Sequence, residues 1–220
     1  MEMMAIDRSQ IDAAIACAPS EVHCRRIDKV LAERRRITRM RAAAAIRASG
    51  DSPWLVLRVM SGRELMVRDA LDAADIEVLV PMKMGKEMRK RHRVIPPQRV
   101  PVFVGYVFAR CNIGNLELCG LLSFDDVIGL LGSNDNPFCV AADKVNQFNE
   151  KADKGYYDYE VPQAVFRRGM KVRIREGIFA GFIGEVVTGG HKGKGDAVVD
   201  IDFLGGSTPA IMPLAILEPL

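Results

Sequence analysis

Catalysis and metal binding need histidines, thiols or carboxylates that converge, and this 220-residue chain offers few of the first two. Its three histidines stand far apart: His23 and His92 lie in basic stretches, His191 in a glycine-rich run. None belongs to a nucleophile–base arrangement or an H-E-x-x-H motif. The five cysteines, Cys17, Cys24, Cys111, Cys119 and Cys139, are odd in number and never form a C-x-x-C pair, which argues against a disulfide framework and a zinc ribbon. Cys17, His23 and Cys24 lack the second pair of ligands that a tetrahedral zinc site would require. Thr188-Gly189-Gly190-His191-Lys192-Gly193-Lys194-Gly195 has the composition of a phosphate loop without its spacing, since Gly193-Lys194 is followed by Gly195 instead of Ser or Thr. It reads as a flexible hairpin turn. The expectation is therefore no enzyme, no cofactor and no metal.

The residues that stand out instead are cations and aromatic rings, which recognise partners. Between Val22 and Arg47, nine basic residues (Arg25, Arg26, Lys29, Arg34, Arg35, Arg36, Arg39, Arg41 and Arg47) accompany only Asp28 and Glu33. Ile27, Val30, Leu31, Ile37 and Met40 at helical spacing predict a helix there, with Ser20 as its cap. A shorter stripe, Ile6, Ile11, Ala14, Ile15 and Ala18, predicts another before Pro19. Such a basic helix suits a nucleic-acid contact, and equally an ordinary solvated face. Ser49-Gly50-Asp51-Ser52-Pro53 reads as a linker.

From Trp54 the pattern changes to short alternating elements: strands over 54–59 and 76–81 on either side of a helix over 64–74. Seven cations (Lys83, Lys86, Arg89, Lys90, Arg91, Arg93, Arg99) with Glu87 as the one acid predict a basic hairpin or loop ahead of a strand over 100–110. In that strand, alternation sends Tyr106 and Phe108 to one face. A helix over 116–122, a strand over 127–131 and a helix over 141–154, with Val145 and Phe148 three apart on one side, complete a mixed α+β domain. Residues 155–162, ending in Pro162, read as a linker. Beyond it, Met170, Val172 and Ile174 alternate with Lys171, Arg173 and Arg175, and Ala197, Val199, Ile201 and Phe203 with Val198, Asp200 and Asp202. Period two in short glycine-punctuated segments predicts a small antiparallel barrel.

Composition narrows the class further. Hydrophobic residues make up 49% and charged residues 27%, near globular averages, which excludes wholesale disorder and collagen-like chains. The net charge of +3 is too small for a polycation. The longest apolar runs fall short of a membrane span, and the first residues lack a basic region ahead of an apolar stretch, so a cytoplasmic protein with no membrane partner is expected.

Two separated motifs occur in a telling order. Trp54-Leu55-Val56-Leu57 with Ser61-Gly62-Arg63-Glu64, then Phe103-Val104-Gly105-Tyr106-Val107-Phe108, then Val127-Ile128-Gly129-Leu130-Leu131-Gly132, resemble the N-terminal (NGN) domain of the NusG family of transcription elongation factors. Downstream, residues 166–174 and 176–186 resemble a KOW motif and its flanks, and Gly206-Ser207-Thr208-Pro209 resembles the family's closing strand. The resemblance spans about residues 54–218. It implies an α+β NGN domain, an antiparallel sheet flanked by helices, linked to a small all-β KOW barrel and preceded by a helical basic extension. The segments are 1–53 (extension and linker), 54–154 (NGN-like), 155–164 (linker) and 165–220 (KOW-containing barrel).

The resemblance also implies a function: a monomer that binds the RNA polymerase clamp and modulates pausing, termination or antitermination. Phe103, Tyr106, Phe108, Val145 and Phe148 match the family's clamp-binding surface, with Trp54 as core support; the alternative is that all are simply sheet core. Lys86, Arg89, Lys90, Arg91 and Arg93 fall where the family has a hairpin near the upstream DNA fork, facing non-template DNA or nascent RNA backbone. Phe179, Phe182, Phe203 and Leu204 match the corner by which relatives bind ribosomal protein NusE or Rho, or else they plug the barrel end. Val104 in place of the usual Pro, Gly206 in place of a basic residue, and the 53-residue extension are departures that suit a specialised RfaH-like paralogue. An RNA- or ribosome-binding KOW protein is the second reading, with Arg167, Arg168, Lys171, Arg173 and Arg175 tracking phosphate. A third, in which the barrel segment refolds as helices on the aromatic groove, is disfavoured by its period-two pattern and many glycines.

Overall fold

The computed structural model describes residues 21–46, 48–50, 52–90, 93–133, 136–190, 192–203 and 205–220. The stripe over residues 6–18, Ser20, Cys17, Arg47, Arg91, His92, His191 and Leu204 lie outside the described residues. The chain forms two compact units, Met1–Arg39 and Met40–Leu220.

Helix α1 (Glu21–Ala44) is rich in Arg and Ala and contains neither Gly nor Pro, which suits a 24-residue helix. Ile27, Val30 and Leu31, expected as its packing stripe, are exposed. Within the second unit, its last turn is anchored. Arg41 donates to the Ser123 carbonyl at 2.6 Å and lies 4.1 Å over the Phe124 ring. Gly120 lets the Met40 carbonyl come close, because a Cβ there would sit 2.2 Å from its oxygen.

The second unit opens with β1 (Trp54–Val59), α2 (Glu64–Asp72), β2 (Glu77–Leu79), β3 (Met82–Met84), β4 (Met88–Lys90), β5 (Arg93–Ile95), β6 (Arg99–Pro101) and β7 (Tyr106–Arg110). Then come α3 (Asn115–Leu122), β8 (Val127–Leu130), β9 (Cys139–Val140) and α4 (Ala142–Asp153). Of these strands β2, β7, β1 and β8 build an antiparallel sheet in that order, with β9 also pairing β1, while β3 with β6 and β4 with β5 form separate two-stranded sheets. Residues 100–110, expected as one strand, are divided: β6 pairs β3, and β7 starts after Gly105, whose φ of +83° breaks the extended run. The buried carboxylate of Glu64 fixes that break, accepting from Gly105 N at 2.7 Å and Gly62 N at 3.1 Å.

Period two gives this sheet two apolar faces. Leu55, Leu57, Val107 and Ala109 pack with Val67 and Leu71 of α2 and Leu118 and Leu121 of α3. Trp54, Val56, Tyr106 and Phe108 point the other way, toward Val145 and Phe148 of α4.

The C-terminal strands are β10 (Lys171–Ile174), β11 (Ile183–Thr188), β12 (Asp196–Phe203), β13 (Gly206–Pro213) and β14 (Leu217–Pro219). They form an antiparallel sheet in the order β13-β12-β11-β10-β14, so the segment is sheet and not helix. The alternation reads out directly: Val172, Ile174, Val199 and Ile201 are fully buried, while Lys171, Arg173 and Arg175 are exposed. The glycine-rich run 188–195 joins β11 to β12, as a hairpin connection should.

Candidate functional site

The second face of the N-terminal sheet is an aromatic surface built from three places in the chain. Tyr106 and Phe108 come from β7, Phe103 from the turn that Gly105 closes, and Val145 and Phe148 from the inner side of α4. Phe103 stacks on Phe148 with ring centroids 5.5 Å apart. All five residues predicted for partner binding are thus brought together, and all five are buried.

They are buried because the C-terminal sheet lies on them. Phe179 meets Phe103 edge-on at 6.4 Å and Tyr106 at 5.5 Å. Phe203 stands 5.8 Å from Phe179 and 5.0 Å from Phe182, and Phe138, just before β9, contacts Phe182 at 6.1 Å and Phe203 at 5.2 Å. Such offset and edge-on pairs add about 0.5–1.5 kcal/mol each beyond area burial. Gly177, with φ +87°, admits Phe103: a Cβ would sit 2.4 Å from its Cζ. Phe179, predicted to hold a second factor, therefore faces Phe103 and Tyr106, predicted to hold the first, while Phe182 and Phe203 face Phe138.

Polar contacts border this seam. Lys83 is buried and ion-paired with Asp196 at the start of β12. Burial pushes its ammonium below the ordinary lysine value, against the opposing pull of Asp196 and Asp158. Lys83 thus leaves the basic cluster to which its sequence neighbours assign it.

Residues 155–163 are held on both sides. Tyr159 N donates to the Met84 carbonyl at 3.0 Å, and Met84 N to Asp158 Oδ1 at 2.8 Å. Toward the C-terminal sheet, Gln163 N donates to the Gly193 carbonyl at 2.7 Å and Lys194 pairs with Glu160 at 2.6 Å. The Tyr157 ring stacks on Phe148 at 4.7 Å, while its hydroxyl donates to Glu176 at 2.9 Å. Lys151 also reaches Glu176, at 2.8 Å. Burial first, then the Glu176 bond, holds the Tyr157 phenol above its ordinary range. Sequence reasoning missed Lys83, Phe138, Tyr157, Glu176 and Asp196. The one signal was the density of tyrosines at 156, 157 and 159 in a segment otherwise composed like a linker.

The basic hairpin is a separate feature. β4 and β5 pair with Lys90 opposite Arg93, and Arg89 and Arg93 are exposed. Lys86 sits 5.6 Å over the Tyr159 ring. Among the described residues no group of three His, Cys, Asp or Glu is placed to hold a metal, and no helix is long and apolar enough to cross a membrane.

Residues 52–149 match the NusG family model, described as transcription termination factor nusG. The chain is 29% identical over 186 residues to the transcription termination/antitermination protein NusG of Treponema pallidum (strain Nichols), covering 76% of this chain and 98% of the relative. It is 27% identical over 180 residues to the protein of the same name from Vibrio parahaemolyticus serotype O3:K6, covering 76% and 95%. A solved structure titled "Domain interaction in Thermotoga maritima NusG" aligns with a TM-score of 0.42 and 21% identity, over 76% of this chain and 97% of that one.

Proposed function

We propose that this chain, which carries a NusG family domain over residues 52–149, is a transcription elongation regulator that docks on the RNA polymerase clamp through its aromatic face and recruits a second factor through a C-terminal KOW-type barrel. The names of its relatives support a role in transcription termination or antitermination. The boundaries that suit this role are a basic extension to residue 53, a polymerase-binding domain over 54–154, a joining segment over 155–164 and the KOW-type domain from 165.

The observation that carries the reading is the shared seam. Rings with the size and grouping of interface hot spots, Phe103 and Tyr106 with Phe148 stacked on the first, meet Phe179 of the other prospective docking site, whose Phe182 and Phe203 pack on neighbouring Phe138. Each surface masks the other. Binding of polymerase, or of a NusE- or Rho-like factor, then requires the two sheets to part, and the apparent affinity is the intrinsic one reduced by the open fraction. The effect on transcription is a shift of population between polymerase states, with no bond made or broken by this chain. The exposed hairpin cations Arg89 and Arg93 suit the phosphates of the displaced DNA strand.

Capture of core RNA polymerase tests this. Wild type binds weakly, Asp196→Lys binds more tightly because it sets a cation against buried Lys83 and opens the seam, and Asp196→Lys with Tyr106→Ala binds less than Asp196→Lys alone. Equal capture by all three, each folded by circular dichroism, defeats the reading. One observation supports the second reading, in which the KOW-type domain binds RNA: Arg167, Arg168, Lys171, Arg173 and Arg175 are all exposed in the closed arrangement. RNA affinity that falls in Arg168→Glu with Arg173→Glu, together with absent polymerase capture, would favour it.

A further inference from the structure

Where α4, residues 155–163 and the turn after β10 meet, a cavity of about 880 Å³ opens to solvent. Its size lies within the range of small-molecule sites, which concentrate at junctions of this kind. Phe138 and Tyr156 supply flat apolar walls, and Lys144, Lys151 and Arg175 line it with three cations against the single carboxylate of Glu176. That carboxylate is already engaged by the Lys151 ammonium and the Tyr157 hydroxyl. Arg175 gives one guanidinium N–H to the Ala215 carbonyl at 3.2 Å, which leaves its other donors for a ligand. Lys144 and Lys151 are seven apart on α4 and share a helix face. The lining therefore combines stacking surface with excess positive charge, a pairing that neither an apolar ligand nor a bare cation would use.

We propose that this cavity binds a flat organic anion, one or two fused rings bearing a phosphate or carboxylate, and that its occupant holds the two sheets together. The ring lies against Phe138 and Tyr156, and the anionic group takes charge-assisted hydrogen bonds from Lys144 and Arg175. Phe138 and Lys144 belong to the N-terminal domain, Tyr156 to the joining segment and Arg175 to the turn after β10 of the C-terminal sheet, so the complete site exists only while the seam is closed. A ligand that binds one state alone shifts the population toward it. This rests on the masking reading above and adds an effector to it.

The test is calorimetric titration of the full chain with two probes, adenosine 5′-monophosphate and 1-naphthoate; adenosine and inorganic phosphate serve as half-ligand controls. The expected result is saturable binding of at least one probe, tighter than either half-ligand and weakened about tenfold or more in Lys144→Glu with Arg175→Glu, the loss of one or two charge-assisted bonds. Binding of the nucleotide alone identifies a nucleotide-type ligand, and binding of the naphthoate alone an aromatic acid. The bound probe is also expected to lower polymerase capture by wild type and to leave Asp196→Lys unaffected. No saturable binding, binding indifferent to the double charge reversal, or binding without effect on capture each overturns the proposal. Zero-length carbodiimide crosslinking of the ligand-free chain separates this from the masking reading. A recovered Lys151–Glu176 crosslink with no probe binding overturns the cavity site alone, and a missing crosslink overturns both.

Discussion

Replacing Asp196 by Ala tests the energetics of the closed seam most directly. The Lys83 side chain is 3% exposed and its partner Asp196 33% exposed. Removing one member of a fully buried ion pair costs about 3–5 kcal/mol, because the other charge is left without compensation. Here Asp196 is partly solvated and the Asp158 carboxylate still acts on Lys83, which lowers the expected cost to about 2–3 kcal/mol. All of that penalty is relieved when the sheets part and Lys83 regains water, so the closed-to-open ratio should fall about 30- to 150-fold. Hydrogen exchange of the Tyr159 and Gln163 amides, which tie the joining segment to Met84 on one side and Gly193 on the other, reads this ratio without any partner present.

The sign of the pH dependence follows from the lysine. Its closed-state pKa lies below the solvated value, so the closed state binds fewer protons and gains stability as pH rises toward the solvated lysine value. Closure should therefore tighten as pH rises toward the solvated lysine value, more in Asp196→Ala than in wild type. Adding Lys83→Met to Asp196→Ala removes the stranded charge and should restore protection, since an apolar replacement of a buried pair is often neutral or stabilising. Unchanged protection in Asp196→Ala, or no rescue by Lys83→Met, would refute the reading that the Lys83–Asp196 pair stabilises the closed seam.

Three further outcomes are expected. Tyr157→Phe keeps the ring on Phe148 but loses the hydroxyl bond to Glu176, so closure should weaken by about 1 kcal/mol, seen as faster exchange at the Gln163 amide. Gly177→Ala combines a φ of +87° with a methyl 2.4 Å from Phe103 Cζ, and should open the seam and raise polymerase capture while the far-UV spectrum stays unchanged. Arg89→Glu with Arg93→Glu should reduce single-stranded DNA binding and lower the slope of log affinity against log salt by about 1.4 if both residues contact phosphates, measured by fluorescence anisotropy.

Much of the fold was legible because burial followed period. Tyr106 and Phe108 fall on one face and Val107 and Ala109 on the other, as alternation requires, and Val145 and Phe148 both face inward from α4. The seam was not legible. An apolar ring in a sheet core and one in a docking surface satisfy the same pattern, and no local rule sets Phe179 against Phe103, 76 positions away. Lys83 failed for a related reason: within a basic run it resembles its neighbours, and only the distant Asp196 separates it from them. The strand expected over 100–110 broke at Gly105 because the Glu64 carboxylate, far back in the chain, holds that glycine in place.

The order in which the seam is made gives it a history. The aromatic surface is complete in sequence once Phe148 has been synthesised, and its cover is complete only after Phe203. At about 5–20 residues per second, that interval lasts roughly 3–10 s. A nascent chain paused on the ribosome between those points would present the uncovered surface beside the translation machinery. Each molecule would thus pass once through a binding-competent youth that the finished protein regains only by opening.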